Sequence, residues 1–303
     1  MEGVKMEGVK TSVAQMEMKG GMAYVIQLDD GRFVMVDGGE HFDVDGERVF
    51  RYLCEKAQGE KPIIAAWFFT HGHRDHIKLA ARFMEEYKNE VEIQTIAYNI
   101  PTDVVYSGFD STSGRGDALA EEMWFKAVEN LSNTEVRVLK TGEEFTFANV
   151  KVNILTTAFE KYPDPPTSRN HTSAAMKFSF TCGTSFLVLG DAQGDRLVKM
   201  LEEGSPIYCT DEILKSDILQ VPHHGLALAR ANDYDKIVTL YRKIAPKICF
   251  WPQKADRFYN DPWCQSEQYP YNRFLFDSVK DKNFHDSQTI VVDMEDLRIT
   301  LWK

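Results

Sequence analysis

The amino-acid sequence predicts an α/β fold in which sheets are covered by helices. Two observations carry that expectation. Short strand-like segments alternate with amphipathic helical ones along most of the chain, and the densest polar clusters stand directly after apolar runs, where strand ends meet. The sharpest cluster is THGHRDHI, residues 70–77, which holds three of the eight histidines. Packing does not explain it, because three imidazoles and a carboxylate at that density need hydrogen-bond partners when buried.

The elements follow in order. The repeat MEGVKMEGVK reads as an extension of little structural role, so residues 1–11 are expected to be a flexible tail and residues 12–303 a single domain. Met22–Gln27 and Arg32–Asp37 flank the turn Asp29-Asp30-Gly31 as a hairpin, which Asp37-Gly38-Gly39 ends. Glu47–Lys56 reads as a helix with Val49, Phe50, Leu53 and Cys54 on one face. Pro62–Phe69 is a continuous apolar run of the kind that forms a buried strand, and it leads straight into the histidine cluster. A helix is expected over Ile77–Tyr87, a strand near Val91–Tyr98, a helix near Leu119–Leu131, and strands near Val136–Leu139 and Phe145–Leu155. Ala174–Phe180 and Ser185–Leu189 read as a second hairpin, followed by Gly190-Asp191 and a helix near Arg196–Glu203. Ile218–Val221 is a short strand running into PHHG at 222–225. A helix near Tyr234–Lys243, a strand at Ile248–Trp251, a helix near Tyr271–Val279 and strands at Gln288–Asp293 and Leu297–Trp302 complete the pattern.

A chain of 303 residues has ample length for a large core, and its 43% hydrophobic and 27% charged content is that of a globular protein. No run of about 18 apolar residues occurs, so no membrane-spanning helix is expected, and the N-terminus lacks the apolar stretch of a signal peptide. Five scattered cysteines (Cys54, Cys182, Cys209, Cys249, Cys264) without CxxC spacing point to a reduced, cytoplasmic protein. The net charge of −11 disfavours unaided nucleic-acid binding and leaves small substrates in play. There is no GxSxG elbow and no Walker loop, so covalent serine chemistry and nucleotide-motor chemistry lack support.

His71 and His73 are two apart, so on an extended segment they point the same way. Asp75 and His76 follow at the strand-to-helix turn. Imidazole and carboxylate ligands at this spacing suit zinc first, with manganese or iron as alternatives. His171 lies in NHTS (170–173), His223 and His224 lie in PHHG, and Asp191 ends the strand LVLGD. This set is large enough for two divalent metal ions with Asp191 bridging, and a hydroxide held between ions about 3.5–4 Å apart is a competent nucleophile at neutral pH. His41 and His285 lack motif context and read as surface or loop residues.

HGHRDH resembles the HxHxDH signature of the metallo-β-lactamase superfamily. The order of motifs is similar too: Asp37-Gly38-Gly39, HxHxDH, a central polar motif, the strand-ending Gly190-Asp191, then a late histidine motif. NHTS, LVLGD and LQVPHHG together are most similar to the metallo-hydrolase domain of DNA-internalisation competence proteins and to related phosphodiesterases. The resemblance covers about residues 12–303 and implies the αββα sandwich. It implies that His71 and His73 hold a first metal, that Asp75, His76 and one histidine of PHHG (taken as His224) hold a second, and that Asp191 bridges. Asp37 would orient ligands from behind. Asn170 and Ser173 occupy the competence-type N-x-x-S places. His171 beside them is counted with the metal ligands, and Asn170 and His171 stay alternatives there. His223 is left behind the ligands or facing substrate. The late histidine-proline of competence-type domains is absent, and NDPW (260–263) stands near that point.

The expected function is a metal-dependent hydrolase acting on a phosphodiester or related small ester through a metal-held hydroxide, with Asp75, Asp191 and His224 indispensable to turnover. Two other readings stand beside it: a metal-binding regulatory or binding protein of the same fold without turnover, and a lactone or thioester hydrolase. A redox reading like that of the superfamily's di-iron flavoproteins ranks last, since those carry a glutamate where His73 stands and a flavin domain for which no length remains. The aromatic segment 251–271 is either a lid over the site or a satellite core, and the loops 107–116 and 162–170 are candidates for specificity.

Overall fold

The computed structural model describes residues 8–102, 114–158, 168–228, 233–260 and 269–303. The first half runs β1 (Ser12–Gln15), β2 (Tyr24–Gln27), β3 (Phe33–Val36), α1 (Glu47–Lys56), β4 (Ile63–Phe69), α2 (Arg74–Glu86), β5 (Glu92–Ile93), β6 (Thr95–Tyr98), α3 (Arg115–Glu129) and β7 (Glu135–Val138). It continues with β8 (Glu144–Phe147), β9 (Val150–Thr156), β10 (Ala175–Phe180), β11 (Ser185–Val188), α4 (Gly194–Lys199), α5 (Asp211–Leu214), β12 (Ile218–Gln220) and α6 (Tyr234–Ile244). The chain closes with β13 (Ile248–Trp251), α7 (Ala255–Asn260), α8 (Pro270–Val279), β14 (Asn283–His285), β15 (Thr289–Asp293) and β16 (Ile299–Trp302).

Two sheets form. The first has the order β16-β15-β1-β2-β3-β4-β6-β7, with β5 also on β4, and the second the order β14-β13-β12-β11-β10-β9-β8. Pairing is parallel from β3 through β4 and β6 to β7, and again from β11 to β14. Strand β4 shows why a continuous apolar run was needed. Phe68 faces the second sheet with Val36, Val152, Phe178 and Phe250, while Trp67 and Phe69 face the helices with Val49, Ile77, Phe83 and Trp124. A third cluster packs Leu187, Leu219 and Cys249 of the second sheet against Leu197, Ile237, Leu240 and Leu275. Three apolar layers between four structural layers make the αββα sandwich.

Several boundaries differ from the sequence expectation. Helix α2 begins at Arg74 rather than Ile77, with His73 extended at its N-cap, so Asp75 and His76 lie in its first turn. Apolar periodicity cannot see a polar first turn, and an acidic residue there is favoured by the helix dipole. The strand expected over Phe145–Leu155 is the antiparallel pair β8–β9, turned at Ala148, whose φ is +45°. The helix expected to reach Glu203 stops at Lys199, where Leu201 and Glu202 switch to i−3 carbonyls. Packing begins before residue 12: Val9 and Thr11 are buried and Met294 donates its N–H to the Thr11 carbonyl. Residues 1–7 of the expected tail lie outside the described residues, as do Cys264, residues 261–263 of NDPW and most of the loops 107–116 and 162–170. No helix among the described residues is long and apolar enough to cross a membrane.

Phe68→Ala removes the ring that meets Phe145, Phe147 and Phe178 edge-on between the sheets. It should lower unfolding free energy by about 3–5 kcal/mol, read as a reduced urea midpoint with an unchanged slope.

Candidate metal centre

The parallel strands deliver the polar side chains to one end of the sandwich. Asp37 follows β3, Thr70 to His73 follow β4, Asp191 follows β11 and PHHG follows β12. Asp37 is fully buried at a φ of +52°, and its carboxylate is the junction of the site. Oδ1 accepts the Thr70 N–H at 2.8 Å; Oδ2 accepts the Thr70 hydroxyl at 2.7 Å and lies 2.8 Å from His76 Nδ1. With His76 Nδ1 donating there, its Nε2 is left to face the cleft. Thr70 Oγ1 stands 3.1 Å from His71 Nδ1, which directs His71 Nε2 the same way. His224 Nδ1 is held by the Pro252 carbonyl at 2.6 Å, again presenting Nε2.

Six side chains converge as two trios. His71, His73 and Asp191 form one, and Asp75, His76 and His224 the other, the candidate ligand atoms of each lying within 4.8 Å of one another. Asp191 Oδ2 touches both, at 3.3 Å from the Nε2 atoms of His76 and His224 and 3.9 Å from that of His71. Asp75 Oδ2 lies 3.3 Å from His224 Nε2. His71 Nε2 and His73 Nδ1 are 3.1 Å apart. The donor set fits divalent cations by a direct observation. Buried His76 Nε2, His224 Nε2 and Asp191 Oδ1 make no hydrogen bond among the described residues, although native structures rarely leave buried polar atoms unpaired. Nitrogen and carboxylate donors of this kind suit zinc, manganese or iron.

The electrostatics follow from burial and charge. Burial opposes protonation of His76, but Asp191, Asp37 and Asp75 outweigh it and push it up to about 10. His224 is likewise raised against its burial by Asp191 and Asp75. Burial resists ionisation of Asp191 and Asp75, yet His224 and His76 hold both below the usual carboxylate range. His71 is lowered, first by burial and then by His76. The site is thus an alternation of carboxylates and imidazoles in which protons and cations compete for the same nitrogens.

The remaining sequence candidates divide. Ser173 Oγ accepts the Asp191 N–H at 3.1 Å, and Asn170 Nδ2 lies 3.0 Å from His223 Nε2. Both therefore stand behind or beside the trios. Of the PHHG pair, His224 joins a trio while His223 faces Asn170 and the Ala227 carbonyl. His171 is the correction: the structure brings it to neither trio. Its short 3-10 turn, Arg169–Thr172, sends its ring towards Asp195, with Nε2 3.6 Å from Oδ1, and its carbonyl accepts Arg196 Nη1 at 2.8 Å. His285 is also corrected. It lies half-buried in β14, not in a loop, stacked on Trp251 and tilted against Phe258, and burial pushes it down to about 4. Trp251, Phe258 and Tyr271 of the aromatic segment belong to the apolar layer under α6 and α8, while residues 261–268 lie outside the described residues.

Several supporting groups had no signal as single letters. Gln220 Nε2 donates to the Gly190 and Val221 carbonyls, fixing the turns that carry Asp191 and His224. Buried Asn99 ties the Thr70 carbonyl to that of Thr172. Gly21 admits no side chain, because a Cβ there would come within 1.8 Å of the Asp75 carbonyl oxygen. Only Gln220 and Thr70 could have been suspected, from their places beside PHHG and HGHRDH.

The family model described as the metallo-beta-lactamase superfamily matches residues 18–244, and the chain belongs to that superfamily. Curated protein sequences yield no match. The structure is similar to CmlA, a diiron β-hydroxylase from Streptomyces venezuelae, with a TM-score of 0.52 and 14% identity over 94% of this chain and 54% of that one. It is also similar to the metallo-β-lactamase fold protein YhfI from Bacillus subtilis, at a TM-score of 0.47 and 13% identity over 79% and 85% of the two chains. Unliganded yeast PDE1 gives 0.44 and 12% over 91% and 96%. At these identities the likeness is one of fold.

Asp37→Asn replaces a carboxylate that accepts three bonds by an amide, one end of which can only donate. Metal affinity should fall about 10–100-fold in a chelator competition, with the fold retained. Because His76 is raised to about 10, a cation must displace its proton at neutral pH. Affinity should therefore rise with pH, and calorimetry in buffers of different ionisation heat should record proton release on metal loading.

Proposed function

We propose that this protein is a hydrolase with a dinuclear divalent-metal centre, acting on a phosphodiester or a related small ester. The carrying observation is the pair of trios meeting at Asp191, with buried nitrogen and oxygen atoms that make no hydrogen bond among the described residues and that cations would satisfy. His71, His73 and Asp191 would hold one ion and Asp75, His76 and His224 the other, with Asp191 between. When bound, such ions supply Lewis-acid polarisation of the electrophile and lower the pKa of a coordinated water towards neutrality. The chain's own residues do the rest. Asp37 and Thr70 hold His71 and His76 in the tautomer that offers Nε2, and the Pro252 carbonyl does so for His224.

The cleft above the trios, about 600 Å³ in volume, supports an anionic substrate of modest size. Lys19, Arg74, Lys254 and Arg257 line it, against the carboxylates of Glu40, Asp75, Asp117, Asp191 and Asp286. Two divalent ions would turn that nearly balanced lining clearly positive, which attracts a phosphodiester more than a neutral lactone. The acidic surface of the whole chain favours a small diester over a long polynucleotide.

Elemental analysis of purified wild type should find about two divalent ions per chain, falling in Asp191→Ala. The loaded wild type should hydrolyse bis(para-nitrophenyl) phosphate, and Asp191→Ala should lose about 10³-fold or more in kcat/KM. Cleavage of lactones or thioesters alone would overturn the substrate half. Absence of bound metal in both forms would leave the non-catalytic binding protein as the better reading.

A further inference from the structure

Of the two buried cleft-wall carboxylates outside the trios among the described residues, Asp117 accepts the Arg74 N–H at 3.1 Å and Asp286 is the more deeply buried. It stands one residue beyond β14, in register with the end of β13, where Trp251 pairs with His285. Its N–H donates to the Gln253 carbonyl at 3.3 Å, next to Pro252, the residue that holds His224. The residue is 3% exposed, yet it lines the cleft together with Asp75, Asp191 and His224. Oδ1 makes no hydrogen bond among the described residues. Lys254 Nζ lies 3.8 Å from Oδ1 and donates instead to the Asp286 backbone carbonyl at 2.7 Å.

A buried carboxylate oxygen without a hydrogen bond is costly. A group kept in such a place is suited to carry a proton, because burial penalises its ionised form. Burial indeed pushes Asp286 up to about 7, against the opposing charges of Lys254 and His224, with Asp45 and Glu17 adding to the rise. Cations on the trios would lower it and an anionic substrate in the cleft would raise it.

We propose that Asp286 is the proton donor to the leaving oxygen when this site cleaves a diester; the inference rests on the hydrolase reading above. An oxygen derived from water forms the new bond to phosphorus, and the bond from phosphorus to the departing ester oxygen breaks. The Asp286 carboxyl proton passes to that oxygen, so that a neutral alcohol leaves. The proton released from the attacking water restores the carboxyl. Lys254, bonded to the Asp286 carbonyl, keeps the turn closed beside the leaving group.

The test compares Asp286→Asn, and Asp286→Ala as a second variant, with wild type on two substrates. A dinucleoside phosphate must expel an alkoxide, whereas bis(para-nitrophenyl) phosphate expels a stable phenolate that needs little protonation. Each variant should lose about 10²-fold or more in kcat on the dinucleoside phosphate, with a loss at least tenfold smaller on the nitrophenyl diester. Both substrates are assayed on one preparation, so protein lost to misfolding cancels in the ratio. Equal losses on the two substrates, or a change confined to KM, would overturn the role of Asp286 and leave the hydrolase reading standing. No cleavage of either diester by wild type would overturn both.

Discussion

The Asp37 carboxylate is the constraint on which the site depends. One fully buried side chain binds the Thr70 backbone, the Thr70 hydroxyl and the His76 ring, and through Thr70 it also sets the ring of His71. Burying an anion is costly, and here the cost is met by three donors at 2.7–2.8 Å. The arrangement couples β3 to β4 and to the first turn of α2. Two candidate ligands from one motif are therefore fixed by a residue more than thirty positions earlier.

The sandwich explains why these residues can meet. Parallel strands in both sheets end at the same edge, and each leaves a turn whose first side chains point over that edge. The turns are strained where they carry function. Asp37, His223 and His224 all take positive φ without being glycine, a conformation that costs about 1–3 kcal/mol each. Buried polar groups outside the trios, notably Gln220 and Asn99, hold the turns in place by capping carbonyls that no strand satisfies. The apolar layers supply the stability that lets such an edge persist.

Charge alternation gives the site its chemistry. Four imidazoles and two carboxylates share a space where none can reach full hydration, so each group's protonation is set by its neighbours. Asp286 sits at the margin of this field, buried enough to favour the neutral form and near enough to the cleft to meet a bound molecule. The two sides of the cleft thus differ in kind: one gathers charge, the other holds a proton.

The sequence by itself determined the sandwich's building blocks and the local company of the ligands. The apolar run before HGHRDH, the strand-ending Gly190-Asp191 and the run before PHHG were legible because strand burial and strand ends leave a local pattern. His71, His73, Asp75 and His76 are neighbours in the chain, and the structure keeps them together. What only the tertiary structure decided depends on direction. His223 and His224 are adjacent letters with the same backbone handedness, and the Pro252 carbonyl selects which ring turns inwards. His171 stood in the sequence as a candidate ligand with Asn170 as its alternative, but the 3-10 turn anchored by Arg196 aims it at Asp195. Asp286 carried no motif at all. Its burial beside the cleft comes from the parallel pairing of β13 and β14, an alignment of residues more than thirty apart that no local pattern encodes.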